Sequence, residues 1–170
     1  MPPRCNGTRE SIRKLVADLN AAQPTADVEV VVAPPFLYID QVLSTLDKRY
    51  SVAGQNAWAR GPGAFTGEVA AEQLKDLGLS WVILGHSERR SLCGESNETV
   101  GKKTAHALEC GLKVILCVGE TLAQREANIT LNVITDQLAA VKAVVNDWSN
   151  IVIACASLGG GRGKGLPSSN

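Results

Sequence analysis

Residues 81–90 read WVILGHSERR, and this stretch decides the fold. Its first four residues are apolar, a short run that is typical of a strand buried in a parallel sheet, and Gly85 ends the run. His86 follows directly and begins a charged segment. Functional side chains of parallel sheets gather at the carboxyl ends of the strands, so this position favours a histidine that polarises a carbonyl or relays a proton. A turn histidine backed by solvated charges is the plainer interpretation.

The same order of strand and helix repeats on both sides of this stretch. Strands are predicted at residues 28–33, 51–55, 114–118 and 151–155, the first of them buried on both faces. Helices are predicted at residues 8–19, 39–46, 74–77, 96–111 and 130–148, with Thr8 as an N-cap and Gly78 as a C-cap. This alternation indicates parallel βαβ units in an α/β fold with five strands. Periodicity leaves open a doubly wound sheet or part of a barrel.

Composition excludes several classes of function. The chain has 170 residues, of which 45% are hydrophobic, with no net charge and a pI near 6.7. That length fits one domain, and the charge balance argues against general affinity for nucleic acid or anionic membrane. The apolar runs are too short to span a bilayer and the first residues lack the pattern of a signal peptide, which predicts an intracellular protein.

Five cysteines stand at positions 5, 93, 110, 117 and 155 without forming a C-x-x-C pair. No neighbouring histidine is recognised at ligand spacing, so free thiols are expected and a metal site is not. Cys117 lies next to the end of the strand predicted at residues 114–118. It is interpreted as a small core residue, because no basic neighbour in the sequence would activate its thiol.

Two glycine-rich segments are candidates for binding. Residues 63–68 read GAFTGE, which indicates an ordinary surface loop or a loop that inserts into a partner chain. Residues 159–165 read GGGRGKG but depart from the phosphate-loop pattern, because Leu158 occupies the first glycine position and Gly165 the hydroxyl position. A flexible tail over residues 156–170 is therefore the stronger prediction, ahead of phosphate or nucleic-acid binding.

Several segments together resemble the triose-phosphate isomerase family. They are residues 5–8 (CNGT), 33–35 (APP), 64–68 (AFTGE), 81–90, 117–120 (CVGE) and 147–149 (DWS). Residues 30–42, VVVAPPFLYIDQV, are similar to the plant plastid-type branch in particular. The resemblance runs from about residue 4 to about residue 154, and its GHSERR and GAFTGE blocks are highly specific.

The resemblance implies a partial (β/α)₈ barrel whose strands are equivalent to the second through sixth of the family's eight, with flanking helices. It implies cofactor-free interconversion of D-glyceraldehyde 3-phosphate and dihydroxyacetone phosphate, in the cytoplasm or alternatively the plastid stroma. Triose-phosphate isomerase is itself a standard example of tuned acid–base chemistry, in which a glutamate moves the proton and a neutral histidine polarises the carbonyl beneath a closing loop.

Roles are implied for the residues that match the family's motifs. His86 matches the electrophile, and Glu88 matches the residue that pairs with the catalytic lysine. Ser87 matches a weak substrate contact, and Cys117 matches a cysteine packed behind the site.

The resemblance also implies a homodimer. Thr66 matches the loop residue that reaches the neighbouring subunit's active site. Glu68 and Arg89 are expected to support that loop.

Two positions depart from the family pattern. Arg4 stands where the family has the lysine of its Asn-x-Lys motif, and a planar guanidinium does not replace a compact ammonium. The general base falls on Ala156, which cannot accept a proton. Residues 1–155 are therefore predicted to form an incomplete barrel domain, truncated at both ends, with activity lost or impaired. The alternative is a non-catalytic remnant or splice product that associates with intact subunits.

Overall fold

The computed structural model describes residues 5–23 and 28–155. Within these ranges lie five strands: β1 (Val30–Val32), β2 (Tyr50–Gly54), β3 (Trp81–Leu84), β4 (Lys113–Val118) and β5 (Ile151–Cys155). The same ranges contain seven α-helices: α1 (Arg9–Ala21), α2 (Ile39–Thr45), α3 (Ala71–Asp76), α4 (Ser87–Leu92), α5 (Asn97–Glu109), α6 (Leu122–Glu126) and α7 (Thr130–Lys142). A 3₁₀ turn, Phe36–Tyr38, precedes α2.

All five strands run parallel and lie side by side in chain order. Trp81 at the start of β3 pairs with Ala53 of β2 on one side and with Lys113 of β4 on the other. A doubly wound sheet reverses its order at a switch point, whereas a barrel wall keeps it. The sheet is therefore a curled half-barrel with flanking helices, and the predicted partial (β/α)₈ barrel is confirmed.

The two faces of the sheet are covered differently. The main core joins side chains of the strands to side chains of the helices. Its fully buried members include Val82, Leu84, Val114 and Leu116 from strands and Val100, Ala107 and Val141 from helices. The other face carries a small cluster of Ala33, Ala53 and Trp81, against which Val31, Ile83 and Ile115 pack. Within the described ranges this inner cluster contains no helix residue, as expected for a barrel interior filled by strand side chains.

The first and last strands are edge strands and are more exposed than their sequences predict. β1 is only half-buried, so the prediction of a strand buried on both faces is wrong. Val152 of β5 pairs with Ile115 on the inner side and is 51% exposed. Ile153 pairs with Leu116 on the outer side and is 47% exposed. Each edge strand has a single neighbour, and burial depends on the neighbour as much as on the strand itself.

The helix ends follow the local signals read from the sequence. Thr8 caps α1 by accepting the backbone N–H of Ser11 at 3.2 Å, and Ser96 caps α5 by accepting that of Thr99 at 3.1 Å. Gly78 follows α3 with a φ of +95°, which confirms the predicted C-cap. Among the helices of the described ranges, none has the length and apolar character needed to cross a membrane.

Three helices differ from the prediction. The helix predicted at residues 130–148 ends at Lys142, because Asp147 accepts the N–H of Ser149 at 2.9 Å and forms a turn that leads into β5. Val145 still reaches the core from this connection and is 6% exposed. The short helices α4 and α6, which follow β3 and β4, were not predicted, since five or six residues show too little periodicity.

Candidate active site

A tight turn at the end of β3 places the His86 side chain. Gly85 has a φ of +72°, and a Cβ added to it would lie 2.9 Å from the carbonyl oxygen of Cys117 and 2.9 Å from a methyl of Val100. Only glycine fits this position without distortion, since the backbone is left-handed and the space is filled. The chain then enters α4 with His86 as its N-cap.

The hydrogen bond of the His86 ring fixes where its proton lies. Nδ1 accepts the backbone N–H of Glu88 at 3.3 Å, and the side chain is 35% exposed. Because Nδ1 accepts, a neutral imidazole in this position carries its proton on Nε2. Nε2–H is then the donor that can polarise a carbonyl oxygen. The Glu88 carboxylate lies close, with its Oε2 3.7 Å from Nδ1.

Arg90 supports the turn from the protein side. Its Nε donates to the carbonyl oxygen of Gly85 at 2.8 Å, and its Nη1 donates to Oδ1 of Asn97 at 2.7 Å. Burial lowers the pKa of this guanidinium, although the Glu95 carboxylate acts to raise it. Burial also raises the pKa of the neighbouring Cys117 thiol, which lies at the end of β4. The thiol is therefore a packing group here and is not activated as a nucleophile.

Gln137 of α7 fixes the segment that follows β4. Its Oε1 accepts the N–H of Gly119 at 2.9 Å, and its Nε2 donates to the carbonyl of Gly119 at 3.0 Å. The buried Glu120 comes next, with Nη1 of Arg125 3.4 Å from its Oε1. An open cleft of about 410 Å³ lies between this segment and α4; Ser87 lines it, but His86 does not. That volume is in the range of small-molecule sites.

The loop at residues 60–68 presents its tip to solvent. Thr66 and Glu68 are exposed, and the N–H of Glu68 donates to the carbonyl of Phe65 at 2.9 Å. The Phe65 ring lies against that of Trp58, with centroids 5.4 Å apart. This aromatic pair anchors the loop and leaves Thr66 facing outward.

Arg89 lies in a buried ionic network. Its Nε donates to Oε1 of Glu95 at 2.5 Å, and the same oxygen accepts from Nζ of Lys103 at 2.6 Å. Lys103, 1% exposed, also donates to Oδ1 of Asn56 at 3.0 Å. Burial on its own would raise the pKa of Glu95, but the hydrogen bonds from Lys103 and Arg89 prevail and hold it below the ordinary value. Arg89 is thus anchored within α4 and its flank, and not by residues 60–68.

Comparison with known proteins identifies the family. The triosephosphate isomerase family model matches residues 4–156, which is most of the chain. The chain belongs to the triosephosphate isomerase family. It is 58% identical over 151 residues to the chloroplastic triosephosphate isomerases of Secale cereale and of Arabidopsis thaliana. It is 54% identical over 153 residues to the cytosolic triosephosphate isomerase of Oryza sativa subsp. japonica.

Each of these three alignments covers 89% of the chain but only 51%, 48% and 60% of the respective relatives. The chain spans about half the length of the curated relatives it matches. The resemblance to the family, including plant chloroplastic members, is confirmed.

The structure brings together only part of the triosephosphate isomerase pattern. His86, Ser87 and Cys117 line one small cavity at the carboxyl ends of β3 and β4. Arg4 and Ala156, which the resemblance implies stand at the positions of the lysine and of the general base, lie outside the described residues, as does the predicted tail over 156–170.

The buried network around Lys103 was not predicted from the sequence. A signal was present, since Lys103 lies three residues after Val100 and four before Ala107, on the apolar stripe of α5. A lysine in that stripe is almost never fully buried unless it is paired.

A second missed grouping joins Glu72 of α3 to His106 and Cys110 at the end of α5. The prediction that no cysteine has a histidine at ligand spacing is wrong, because His106 and Cys110 are four residues apart. Positions four apart lie on one face of a helix. The contribution of Glu72, from another helix, has no signal in the local sequence.

Proposed function

We propose that this chain carries the carbonyl-polarising part of a triose-phosphate isomerase site, with a small phosphorylated triose as its ligand. The reaction class is the interconversion of D-glyceraldehyde 3-phosphate and dihydroxyacetone phosphate. The observation that carries the proposal is the His86 ring, whose Nδ1 accepts the N–H of Glu88 and whose Nε2–H is therefore the free donor. Family membership supports the same assignment, and Ser87, next to His86 in the chain, lines the 410 Å³ cleft.

In the proposed chemistry, His86 Nε2–H donates to the substrate carbonyl oxygen while a base removes the proton from the adjacent carbon. The negative charge that develops on oxygen is then stabilised by the imidazole N–H. Ser87 begins the helix beside His86 and contributes a weak contact. Glu88 pairs with the cation at the lysine position, which the resemblance gives as Arg4. No cofactor takes part.

The proposal includes loss or impairment of turnover in this 170-residue chain. The resemblance puts the general base at Ala156, and a methyl group cannot take a proton. Absence of a positioned general base costs about 10²–10⁴-fold in rate. The guanidinium of Arg4 in place of a compact ammonium adds to that loss.

Coupled turnover of D-glyceraldehyde 3-phosphate tests this proposal. The chain, its His86→Gln variant and a full-length cytosolic relative are purified identically, so that the variant reports contaminating host enzyme. We expect the chain to match the variant and to lie at least about 100-fold below the relative. Turnover near that of the relative, abolished by His86→Gln, would contradict the assignment of Ala156 to the base position.

A second candidate function is non-catalytic association with intact subunits. The exposed Thr66, on a loop anchored by Phe65 and Trp58, favours it. Co-expression of the tagged chain with a full-length relative tests it: Thr66→Arg should abolish co-purification, and Ser44→Arg, an exposed change on α2, should not. Equal capture by both variants, or no capture by the unmodified chain, would defeat this candidate.

Further parts of the proposal concern organisation and location. We place an incomplete barrel domain at residues 1–155 and a tail at 156–170, with Glu68 and Arg89 near a homodimer contact of the intact family fold. The cytoplasm is the proposed location and the plastid stroma the alternative. Relatives of both kinds, chloroplastic and cytosolic, match the chain.

A further inference from the structure

Three metal-ligating side chains of different chemistry meet between α3 and α5, away from the residues of the proposed isomerase site. Oε1 of Glu72 lies 3.0 Å from Nε2 of His106. Sγ of Cys110 lies 3.8 Å from the same Nε2. The three ligand atoms all lie within 4.8 Å of one another. Carboxylate, imidazole and thiol thus converge on one point from two helices.

Two of the three separations, from Nε2 to the carboxylate oxygen and from Nε2 to the sulfur, are close to what a tetrahedral zinc ion requires. Zinc bonds of about 2.1 Å to oxygen, 2.05 Å to nitrogen and 2.3 Å to sulfur separate oxygen from nitrogen by about 3.4 Å and sulfur from nitrogen by about 3.6 Å. The observed separations of 3.0 and 3.8 Å differ from these by a few tenths of an ångström. Small rotations of the side chains close that gap.

One feature shows that the group is not fully satisfied as an ordinary ion pair. Oε2 of Glu72 is buried and has no hydrogen-bond partner among the described residues. A bound cation would give this carboxylate a counter-charge and would hold Cys110 as a thiolate.

The surroundings give an ion access from solvent and help to orient its ligands. Oε2 of Glu109 lies 3.8 Å from Nδ1 of His106, the nitrogen that would face away from the metal, as carboxylates do behind many ligating histidines. The ammonium of Lys75, one turn along α3 from Glu72, is held by the carbonyl of Gly111 at 2.8 Å. The His106 side chain is 20% exposed and that of Glu72 is 39% exposed, which gives an ion a path from solvent.

We propose that Glu72, His106 and Cys110 form a three-ligand site for zinc or a similar borderline-soft divalent ion, with water in the fourth position. A mixed sulfur, nitrogen and oxygen set selects such ions over magnesium and calcium, which prefer oxygen alone. The ion would join α3 to α5 and so hold two helices that pack on neighbouring strands. This inference is independent of the isomerase chemistry.

Cobalt(II), which fills zinc sites and is coloured, tests the proposal on tag-free, reduced protein. We expect one equivalent to produce a thiolate-to-cobalt charge-transfer band with the intense visible bands of tetrahedral geometry, and zinc to displace both. Cys110→Ser should remove the charge-transfer band. His106→Gln and Glu72→Gln should each weaken cobalt binding more than about tenfold. Loss of an outer-shell partner already costs about 10–100-fold in metal affinity, so loss of a ligand should cost at least as much. Cys93→Ser, which removes an exposed thiol on another element, should change nothing.

A second measurement separates metal loss from misfolding. Zinc should raise the melting temperature of the unmodified chain and of Cys93→Ser but not that of Cys110→Ser, whose far-UV circular dichroism should be unchanged without metal. The proposal is overturned if no cobalt band forms at a hundredfold excess of metal. It is also overturned if the band survives Cys110→Ser, or if zinc stabilises all three proteins equally.

Discussion

Replacing Gly85 by alanine tests whether the turn before His86 is held by sterics as well as by backbone conformation. The new Cβ would lie 2.9 Å from the carbonyl oxygen of Cys117, 2.9 Å from a methyl of Val100 and 3.0 Å from Nη2 of Arg90. The first of these atoms belongs to the backbone of β4 and cannot rotate away. Relief therefore requires the turn to move off the sheet.

Gly94 provides a matched control for the backbone component. Its φ of +67° is nearly that of Gly85, and within the described chain nothing lies within 4 Å of a Cβ added there. An alanine in the left-handed region costs about 1–2 kcal/mol, which the loss of unfolded-state freedom offsets by about 0.4–1 kcal/mol. Gly94→Ala should therefore lower the free energy of unfolding by about 0–1.6 kcal/mol. Gly85→Ala carries the same component plus overpacking of about 1–3 kcal/mol, for a total of about 1–4.6 kcal/mol.

Urea unfolding, followed by fluorescence and circular dichroism together, measures the difference. With a slope of about 2 kcal/mol per molar urea, Gly94→Ala should lower the midpoint by at most about 0.8 M, and Gly85→Ala should lower it by about 0.5–1.5 M more than that. Coincident transitions by the two probes are needed for this conversion. Equal shifts in the two variants would refute the reasoning, because they would mean that the Cys117 carbonyl and its neighbours accommodate the methyl group freely.

Two further predictions concern the ionic network and the His86 ring. The pKa of Glu95 is held below its ordinary value of 4.5. The stability that the ionised carboxylate contributes is therefore present above pH 4.5 and is lost as the pH falls below it. The urea midpoint should fall more steeply below pH 4.5 in the unmodified chain than in Glu95→Gln. A parallel decline in both would contradict the network. The chain has two histidines. Comparison of long-range imidazole ¹H–¹⁵N spectra of the chain and of His106→Gln therefore assigns each set of ring signals to one histidine. At high pH, His86 should show the Nε2–H tautomer, and an Nδ1–H tautomer would contradict the hydrogen bond from Glu88.

The fold was predictable from the sequence because its strongest signals are local. The apolar run at residues 81–84 and the cap at Thr8 each identify an element without reference to the rest of the chain, and both are present in the structure. The choice between a doubly wound sheet and a barrel was not decided by periodicity. It depends on the order of the strands, and only the resemblance to a family pointed to it.

The exposure of the edge strands and the buried charges could not be predicted in the same way. Val152 belongs to an apolar run, yet its burial is set by whatever lies beside β5. Lys103 meets Asn56 across 47 positions of sequence, and it meets Glu95 because the connection between α4 and α5 places that carboxylate against α5. Polar groupings of this kind are created by the packing of helices on the sheet, and no local pattern marks both partners.

The orientation of His86 depends on contacts that lie within a short part of the chain. The turn is set by Gly85 against β4, the ring by the N–H of Glu88, and the backbone by Arg90. The far side of the cleft is fixed by Gln137. All of these residues lie between positions 85 and 137, so His86 needs nothing from position 156 to take its conformation. In the proposed isomerase site, the position and tautomer of the histidine are therefore separable from the presence of the base. Low turnover together with a native His86 ring would locate the defect at the base.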